Sequence, residues 1–562
     1  SSSSSSSSSS TAQVGCEEEG KEGKAGCEGA QEEDDLYDLK MPWHQSLHKA
    51  LVAIHSCPGQ FGDDETRDAA TGKFSPLQVQ QLEKNLIGEA PTLETMVDWS
   101  KQSRFSLPKE SGRRIRQACF NFADDKVFMN CGSFGGCPRV VLEARDNLDV
   151  FRQQNPVYFR HVYAPNMLGQ VRCRLAKELG AQPDQLVMVE NCNTATTVVL
   201  SSFPWKVGDT LFLFDCDYEC TKLGAEKLEA QFGIHVEECD ITLPKTDQEI
   251  LNTVSQHLRR MTKLPVLANF CHITSRTAYT FPAKELVALF HHHGIPVLVD
   301  GAHVPGQLEV NLREINADWY VGTMHKWMFT LQGVGFLYVN HPTKLPYPLS
   351  TPNTAGRGFV HEFSDTTLSM DYGNIISALV VMEWVDRCLG GWAQVRKSNH
   401  GTANYVSSYL SEFVFKTEVY QQPGNFANMP LIRLPGTTGC TEATAKLMMS
   451  QLLHNNITAF VIRLQSRDDW DLYLRLSVNV YHDADDFQLL GSRVQAVLGT
   501  ELARTMMARG PSVGVKFAAN TTVALASRGI QSIGGMFSRR ESHLATGRSQ
   551  RARSRSVFQK KE

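Results

Sequence analysis

The sequence runs to 562 residues, 42% of them hydrophobic, with a formal net charge of −4; that is enough chain for a sizeable core and, by length, for two or three domains plus tails. The near-neutral balance gives no whole-protein reason to expect nucleic acid or an anionic membrane as partner, and no apolar run approaches the roughly eighteen residues of a membrane helix. Fourteen cysteines are scattered without a C-x-x-C pair, a usage that fits reduced thiols in the cytoplasm better than a disulfide framework or a metal site.

The chain opens at Ser1, so an upstream targeting segment stays an open question. Residues 1–35 hold ten serines and then EEEGKEGKAGCEGAQEEDD, too few apolar groups to offset the entropy of ordering, and read as a disordered tail. Residues 36–119 form an N-terminal extension, with helix-like apolar spacing in MPWHQSLHKALVAIHS and SPLQVQQLEKNLIGEAPTLETMVDW. It reads as packed on the core rather than as an independent functional domain. VFMNCGSFGGCPRVVLEARDNLDVFRQQN then gives a short strand, a glycine turn and a helix. The turn (Gly132, Ser133, Phe134, Gly135, Gly136) either lets backbone approach a ligand closely or simply reverses the chain. It is no P-loop, since no G-K-[ST] follows, and it lacks the dinucleotide fingerprint spacing.

After Phe151 strand-like and helix-like segments alternate. QLVMVENC, TLFLFDCDY, LPVLANFCHITS, GIPVLVDGAH, WYVGTMH and VGFLYVN read as strands, with NTATTVVLSSF, KLGAEKLEAQF and AKELVALFHHHG as helices between them. Continuous apolar strands alternating with helices predict an α/β fold with a mostly parallel sheet covered on both faces. In such sheets ligands bind beyond the carboxyl ends of the strands, where Asp215, Ser275, Asp300 and His325 fall. We bound this large domain at 120–345. A smaller C-terminal α/β domain follows at 346–504, with NIISALVVMEWVDRCLG as a helix and LYLRLSVNVY as a strand. Residues 505–562 are a basic tail, with eight Lys/Arg against two Glu from Arg539 to Glu562.

The strand ends carry a recognisable chemistry. Asp300 closes the apolar run IPVLVD, the one carboxylate the sequence places in that setting, and Lys326 follows 26 residues later in GTMHKWMF. Pyridoxal phosphate asks for a lysine whose amine is partly deprotonated and for a buried carboxylate beside its ring nitrogen. It also asks for a helix N-terminus with hydroxyls for its phosphate. Thr194-Ala195-Thr196-Thr197, between a strand and VVLSSF, offers that, although threonine runs also cap helices with no ligand. A substrate carboxylate needs a fork-like cation, and Arg475, inside the apolar LYLRLSVNVY, is one whose burial otherwise lacks a reason.

FMNCGSFGGCPR, ENCNTATTVVL, HITSRTAYTFPAKELV, VLVDGAHVPGQ, DWYVGTMHKWMF and LRLSVNVY together resemble the successive motifs of class V pyridoxal-phosphate enzymes. The resemblance covers roughly residues 120–500 and is nearest to the isopenicillin N epimerase-like branch that includes L-cysteine desulfhydrases. It implies the aspartate aminotransferase-like fold type I, with a seven-stranded mixed sheet and a homodimer whose sites lie between subunits. It assigns Lys326 as the Schiff-base lysine that moves the α-proton, Asp300 to the pyridine nitrogen and His303 to the ring hydroxyl. Ala195, Thr196, Thr323 and His325 would hold the phosphate, Tyr218 would stack on the ring, and Arg475 would take the substrate carboxylate under the Gly132-Ser133-Phe134 turn. Three departures stand out. Cys131 replaces the usual His or Asn, and Leu368-Ser369-Met370-Asp371 replaces G-T-R-D, with Ser369 keeping a hydroxyl for the neighbouring subunit's phosphate. The window Phe460 to Leu474 holds no cysteine, against a persulfide-forming desulfurase. The implied activity is α-proton removal from a small amino acid, first of all β-elimination from cysteine, with epimerisation or transamination as alternatives. A non-catalytic scaffold is the alternative of another class.

Overall fold

A computed structural model describes residues 90–500 except 342–345, 350–358, 367–370, 423 and 466–468. Every described residue belongs to one compact unit. The serine-rich and basic tails and most of the N-terminal extension read from the sequence lie outside the described residues.

After a two-residue strand β1 (Val127–Phe128), the large sheet is built from β2 (Leu186–Val189), β3 (Thr210–Phe214), β4 (His235–Cys239), β5 (Leu267–Cys271), β6 (Val297–Asp300), β7 (Trp319–Thr323) and β8 (Gly335–Val339). Their order is β2-β8-β7-β6-β5-β3-β4, parallel throughout except that β8 runs antiparallel to both β2 and β7. Six of these strands are legible in the sequence because their residues are buried on both faces, which produces continuous apolar runs. β4 is not: HVEEC lies at the sheet edge with only its last residue buried, so charged side chains interrupt the pattern.

The helices that flank the sheets include α1 (Arg113–Cys119), α2 (Arg139–Gln154), α3 (Cys192–Ser202), α4 (Glu219–Phe232), α5 (Asp247–Arg260), α6 (Ala283–His292), α7 (Glu442–His454) and α8 (Ala484–Leu498). On one face of the large sheet Ile250, Val254, Leu286 and Phe290 of α5 and α6 pack with Ala268, Phe270 and Val299. On the other, Val198 and Val199 of α3 pack with Leu267, Leu298 and Val321. Asp300 follows Leu298 by two positions, so the period-2 alternation of a strand turns it to the α3 face.

A three-stranded antiparallel sheet, β11 (Phe460–Gln465), β12 (Trp470–Arg475) and β9 (Leu431–Arg433), has its own core with Met448 and Leu452 of α7 and Phe487 and Leu490 of α8. The remaining strand, β10 (Ile457–Thr458), pairs in parallel with β1, which ties the approach to the glycine turn to the β11–β12 hairpin. The described part of the extension is packed on the core: Phe105, Leu107 and Ile115 are buried in it. It is also clasped by a buried ion pair, Arg116 Nη1 to Asp486 Oδ2 at 2.6 Å, and by the Arg113 amide donating to Asp483 Oδ2 at 3.0 Å.

Candidate active site

β7 ends at Thr323 and the chain turns through Met324 and His325 to Lys326. The Lys326 Nζ lies 3.1 Å from His303 Nε2, and His303 Nδ1 faces the Trp327 indole Nε1 at a long 3.5 Å. An indole N–H only donates, so His303 Nδ1 accepts and its proton sits on Nε2. In that tautomer the His303 Nε2–H faces the Lys326 amine. Burial lowers the Lys326 pKa, with the charge of Arg475 adding to the effect and Asp300 opposing it. Burial likewise holds His303 well below its ordinary range, helped by Lys326 and Arg475.

Asp300 closes β6, buried, with Oδ1 accepting from the Ala302 amide at 2.8 Å. Burial raises its pKa, while the Ala302 N–H and Lys326 pull it back down. A buried carboxyl in this position is suited to a cationic partner. It is not the only carboxylate at a strand end with that setting, as the sequence suggested. Asp217 is equally buried, its Oδ2 accepting from the Phe214 amide at 2.9 Å and its Oδ1 from the Cys271 amide at 2.8 Å. Burial pushes its pKa to about 7. Asp217 therefore staples the ends of β3 and β5 together and fixes the neighbouring Tyr218, half-buried at the N-cap of α4. The Tyr218 phenol is pushed to about 12 by burial first and then by Cys220, with Asp300 contributing.

The helix after β2 starts earlier than the threonine run suggested. α3 begins at Cys192 with Asn191 as N-cap, its Oδ1 accepting from the Thr194 amide at 2.9 Å. Ala195 and Thr196 are buried, and the Ala195 amide is already bonded to the Asn191 carbonyl. Ala195 and Thr196 thus lie in the first turn of α3, where the Cys192 and Thr194 amides are taken by the Thr323 and Asn191 side chains and the Asn193 amide has no intrahelical acceptor. Thr323 meets the start of this helix, its Oγ1 accepting from the Cys192 amide at 3.3 Å. Asn191, a preferred capping residue, was the signal that would have set the register. His325 is half-buried, its pKa depressed to about 4 by burial, and its Nδ1 is buried without a hydrogen-bond partner. Ser369 lies outside the described residues.

Arg475 ends β12, 2% exposed. Its Nη1 donates to the Ser275 carbonyl and its Nη2 to Asn130 Oδ1 at 3.1 Å. Its guanidinium lies 4.3 Å over the Phe460 ring, and its Nε is buried without a partner. Burial lowers its pKa to about 10. The glycine turn closes against it: the Gly132 amide donates to Ser477 Oγ at 3.2 Å, and a β-carbon on Gly132 would stand 3.3 Å from Arg475 Nη2. Ser133 Oγ donates to Asn130 Oδ1 at 3.0 Å. Phe134, 56% exposed, stacks toward His325 with ring centroids 6.5 Å apart. Cys131 is fully buried against the Ser477 carbonyl at 3.6 Å, its thiol pushed to about 12 by burial. It is therefore an un-ionised packing group. The polar group at this turn is Asn130, one residue earlier, which the sequence reading did not single out.

An amine whose pKa burial lowers beside an imidazole, a buried carboxyl, a helix N-terminus with a threonine hydroxyl and two buried unpartnered nitrogen atoms are the groups that pyridoxal phosphate and an amino-acid carboxylate require. The donor set fits the cofactor. With the seven-stranded mixed sheet, it places the protein among fold type I pyridoxal-phosphate enzymes. Residues 138–447, more than half of the chain, match the aminotransferase class-V family, and the chain belongs to that family. Among curated relatives, an L-cysteine desulfhydrase of Arabidopsis thaliana is 28% identical over 416 residues, covering 67% of this chain and 88% of that protein. An isopenicillin N epimerase of Streptomyces clavuligerus is 29% identical over 237 residues, 41% of this chain and 59% of that protein. A solved cystine C-S lyase in complex with its reaction product cysteine persulfide shares the fold with a TM-score of 0.57 at 19% identity, covering 69% of this chain and 99% of that one.

Proposed function

We propose that this protein is a pyridoxal-phosphate-dependent lyase that removes the α-proton of a small amino acid and eliminates its β-substituent, with L-cysteine as the first substrate. The observation that carries the reading is the Lys326 amine, 3.1 Å from His303 Nε2, its pKa lowered by burial and by the charge of Arg475, with that of Asp300 opposing. When bound, pyridoxal phosphate supplies an electron sink for negative charge developing at the substrate α-carbon. Asp300 would keep a positive charge on the ring nitrogen, and Thr323 with the N-terminal turn of α3 would hold the phosphate. Arg475 binds and orients the substrate carboxylate. Lys326 Nζ, whose pKa burial lowers, takes the α-proton, with His303 Nε2 beside it at 3.1 Å. The balanced reaction is cysteine plus water giving sulfide, ammonia and pyruvate.

The desulfhydrase relatives support cysteine as substrate, and the resemblance supports a homodimer with sites at the subunit boundary. The scattered single cysteines support a cytoplasmic setting. Incubating the loaded protein with L-cysteine should release sulfide and pyruvate in equal amounts, and Arg475→Ala should raise KM by roughly 100-fold or more, as loss of a charge-assisted pair does. Absence of sulfide with α-proton exchange into deuterated solvent would move the activity to epimerisation. Full activity in Arg475→Ala would refute the carboxylate assignment.

A further inference from the structure

Asn130 lies half-buried just past β1, and its side-chain oxygen accepts twice, from Arg475 Nη2 at 3.1 Å and from Ser133 Oγ at 3.0 Å. Its backbone carbonyl accepts from the Ser133 amide at 3.0 Å. One residue thus joins the guanidinium to the glycine turn, and the turn in turn bonds the lysine loop through the Gly135 amide and the His325 carbonyl at 2.9 Å. The company that Arg475 keeps is neutral throughout: the Ser275 carbonyl, the Asn130 amide and the Phe460 ring. Among the described residues no carboxylate pairs with it, although fourteen other Arg or Lys side chains there do find one.

We infer that Asn130 is a positioning residue for substrate recognition, whose neutral amide fixes the fork of Arg475 while leaving its positive charge for the incoming carboxylate. The inference rests on the reading that Arg475 is the carboxylate clamp. What separates the two side chains that could sit here is charge. An aspartate at position 130 has the same shape and accepts both hydrogen bonds, and more strongly. It also puts a unit negative charge in contact with the guanidinium in a low-dielectric site. A substrate carboxylate would then meet a neutralised pair and would have to displace one half of it. An alanine removes the orientation but spares the charge. A purely structural acceptor would tolerate aspartate better than alanine, whereas a residue that conserves the cation for the substrate shows the reverse order.

The test uses the cofactor-loaded protein and 3-(methylthio)propionate, which carries a cysteine-like chain and carboxylate but no amino group or free thiol to react with the cofactor. Its affinity is measured by calorimetry in wild type, Asn130→Ala, Asn130→Asp and Arg475→Ala, with melting temperature and visible cofactor absorbance recorded on each. We expect about 10-fold weaker binding in Asn130→Ala, the loss of one oriented charge-assisted bond, and at least about 100-fold in Asn130→Asp. KM for the amino-acid substrate should rise in the same order while kcat changes less. Wild-type affinity in Asn130→Asp, or in Asn130→Ala should the aspartate variant not fold, overturns the inference. Undiminished binding in Arg475→Ala overturns the clamp reading instead, so the two failures are separable.

Discussion

The backbone of Gly135 rests on that of Lys326: its amide donates to the His325 carbonyl at 2.9 Å, and a β-carbon at position 135 would stand 2.1 Å from the Lys326 carbonyl oxygen. The atoms in the way are backbone, so no side-chain rotation relieves the contact. Gly135→Ala should therefore push the turn off the lysine loop, cost about 1–3 kcal/mol of stability and reduce kcat/KM. Thermal melting and steady-state kinetics check both, and a variant with wild-type melting and turnover would show that the turn and the loop are not held together in this way.

Asp300 has one role in this site that its amide isostere does not fill. An asparagine side chain there would keep the hydrogen bond from the Ala302 amide but bring no negative charge to a protonated ring nitrogen. Asp300→Asn should retain the fold and bind cofactor more weakly, with kcat down by at least about 100-fold, the scale for loss of a preorganised electrostatic group. Equilibrium dialysis of the cofactor and turnover measurements distinguish the two effects.

His482 makes the fold acid-sensitive. Its Nδ1 accepts from the Asn479 amide at 3.0 Å and its Nε2–H donates to the Phe128 carbonyl at 2.6 Å, so both nitrogens are satisfied only in the neutral ring. Burial lowers its pKa to about 4 from 6.5. A histidine depressed in this way takes up its proton more readily unfolded than folded, and stability is lost as pH falls from about 6.5 to about 4. The loss is at most about 3 kcal/mol for this residue. His482→Gln should flatten the acid limb of a melting-temperature profile relative to wild type, at the expense of lower stability at neutral pH.

The Arg116–Asp486 pair, 2.6 Å long and buried on both sides, fastens the N-terminal extension to α8. Removing one partner leaves the other charge buried alone, so Arg116→Ala should cost about 3–5 kcal/mol. Paired replacement of Arg116 by Met and Asp486 by Leu should cost much less. Chemical denaturation of the three proteins tests this, and equal losses in single and double variants would mean that the pair is not the fastening element.

What the sequence makes legible follows physical lines. Strands buried on both faces announce themselves as apolar runs, and the polar residues that end them, Asp300 and Lys326, stand out against that background. β4 is hidden because an edge strand can afford HVEEC. The helix after β2 is read from Asn193, one residue late, because the threonine run draws attention away from Asn191, the residue that caps it. Asn130 and Asp217 escape notice for a different reason. Their roles come from partners far away in sequence, Arg475 for one and Cys271 for the other, and no local spacing encodes such a meeting.

The central claim is that Lys326 is the residue that holds pyridoxal phosphate. Borohydride reduction of the cofactor-loaded protein, followed by mass mapping of its peptides, tests it directly. The expected result is a single pyridoxyl group on the peptide containing Lys326, together with loss of visible cofactor absorbance in Lys326→Ala. A pyridoxyl group on another lysine, or absorbance that survives in Lys326→Ala, would contradict it.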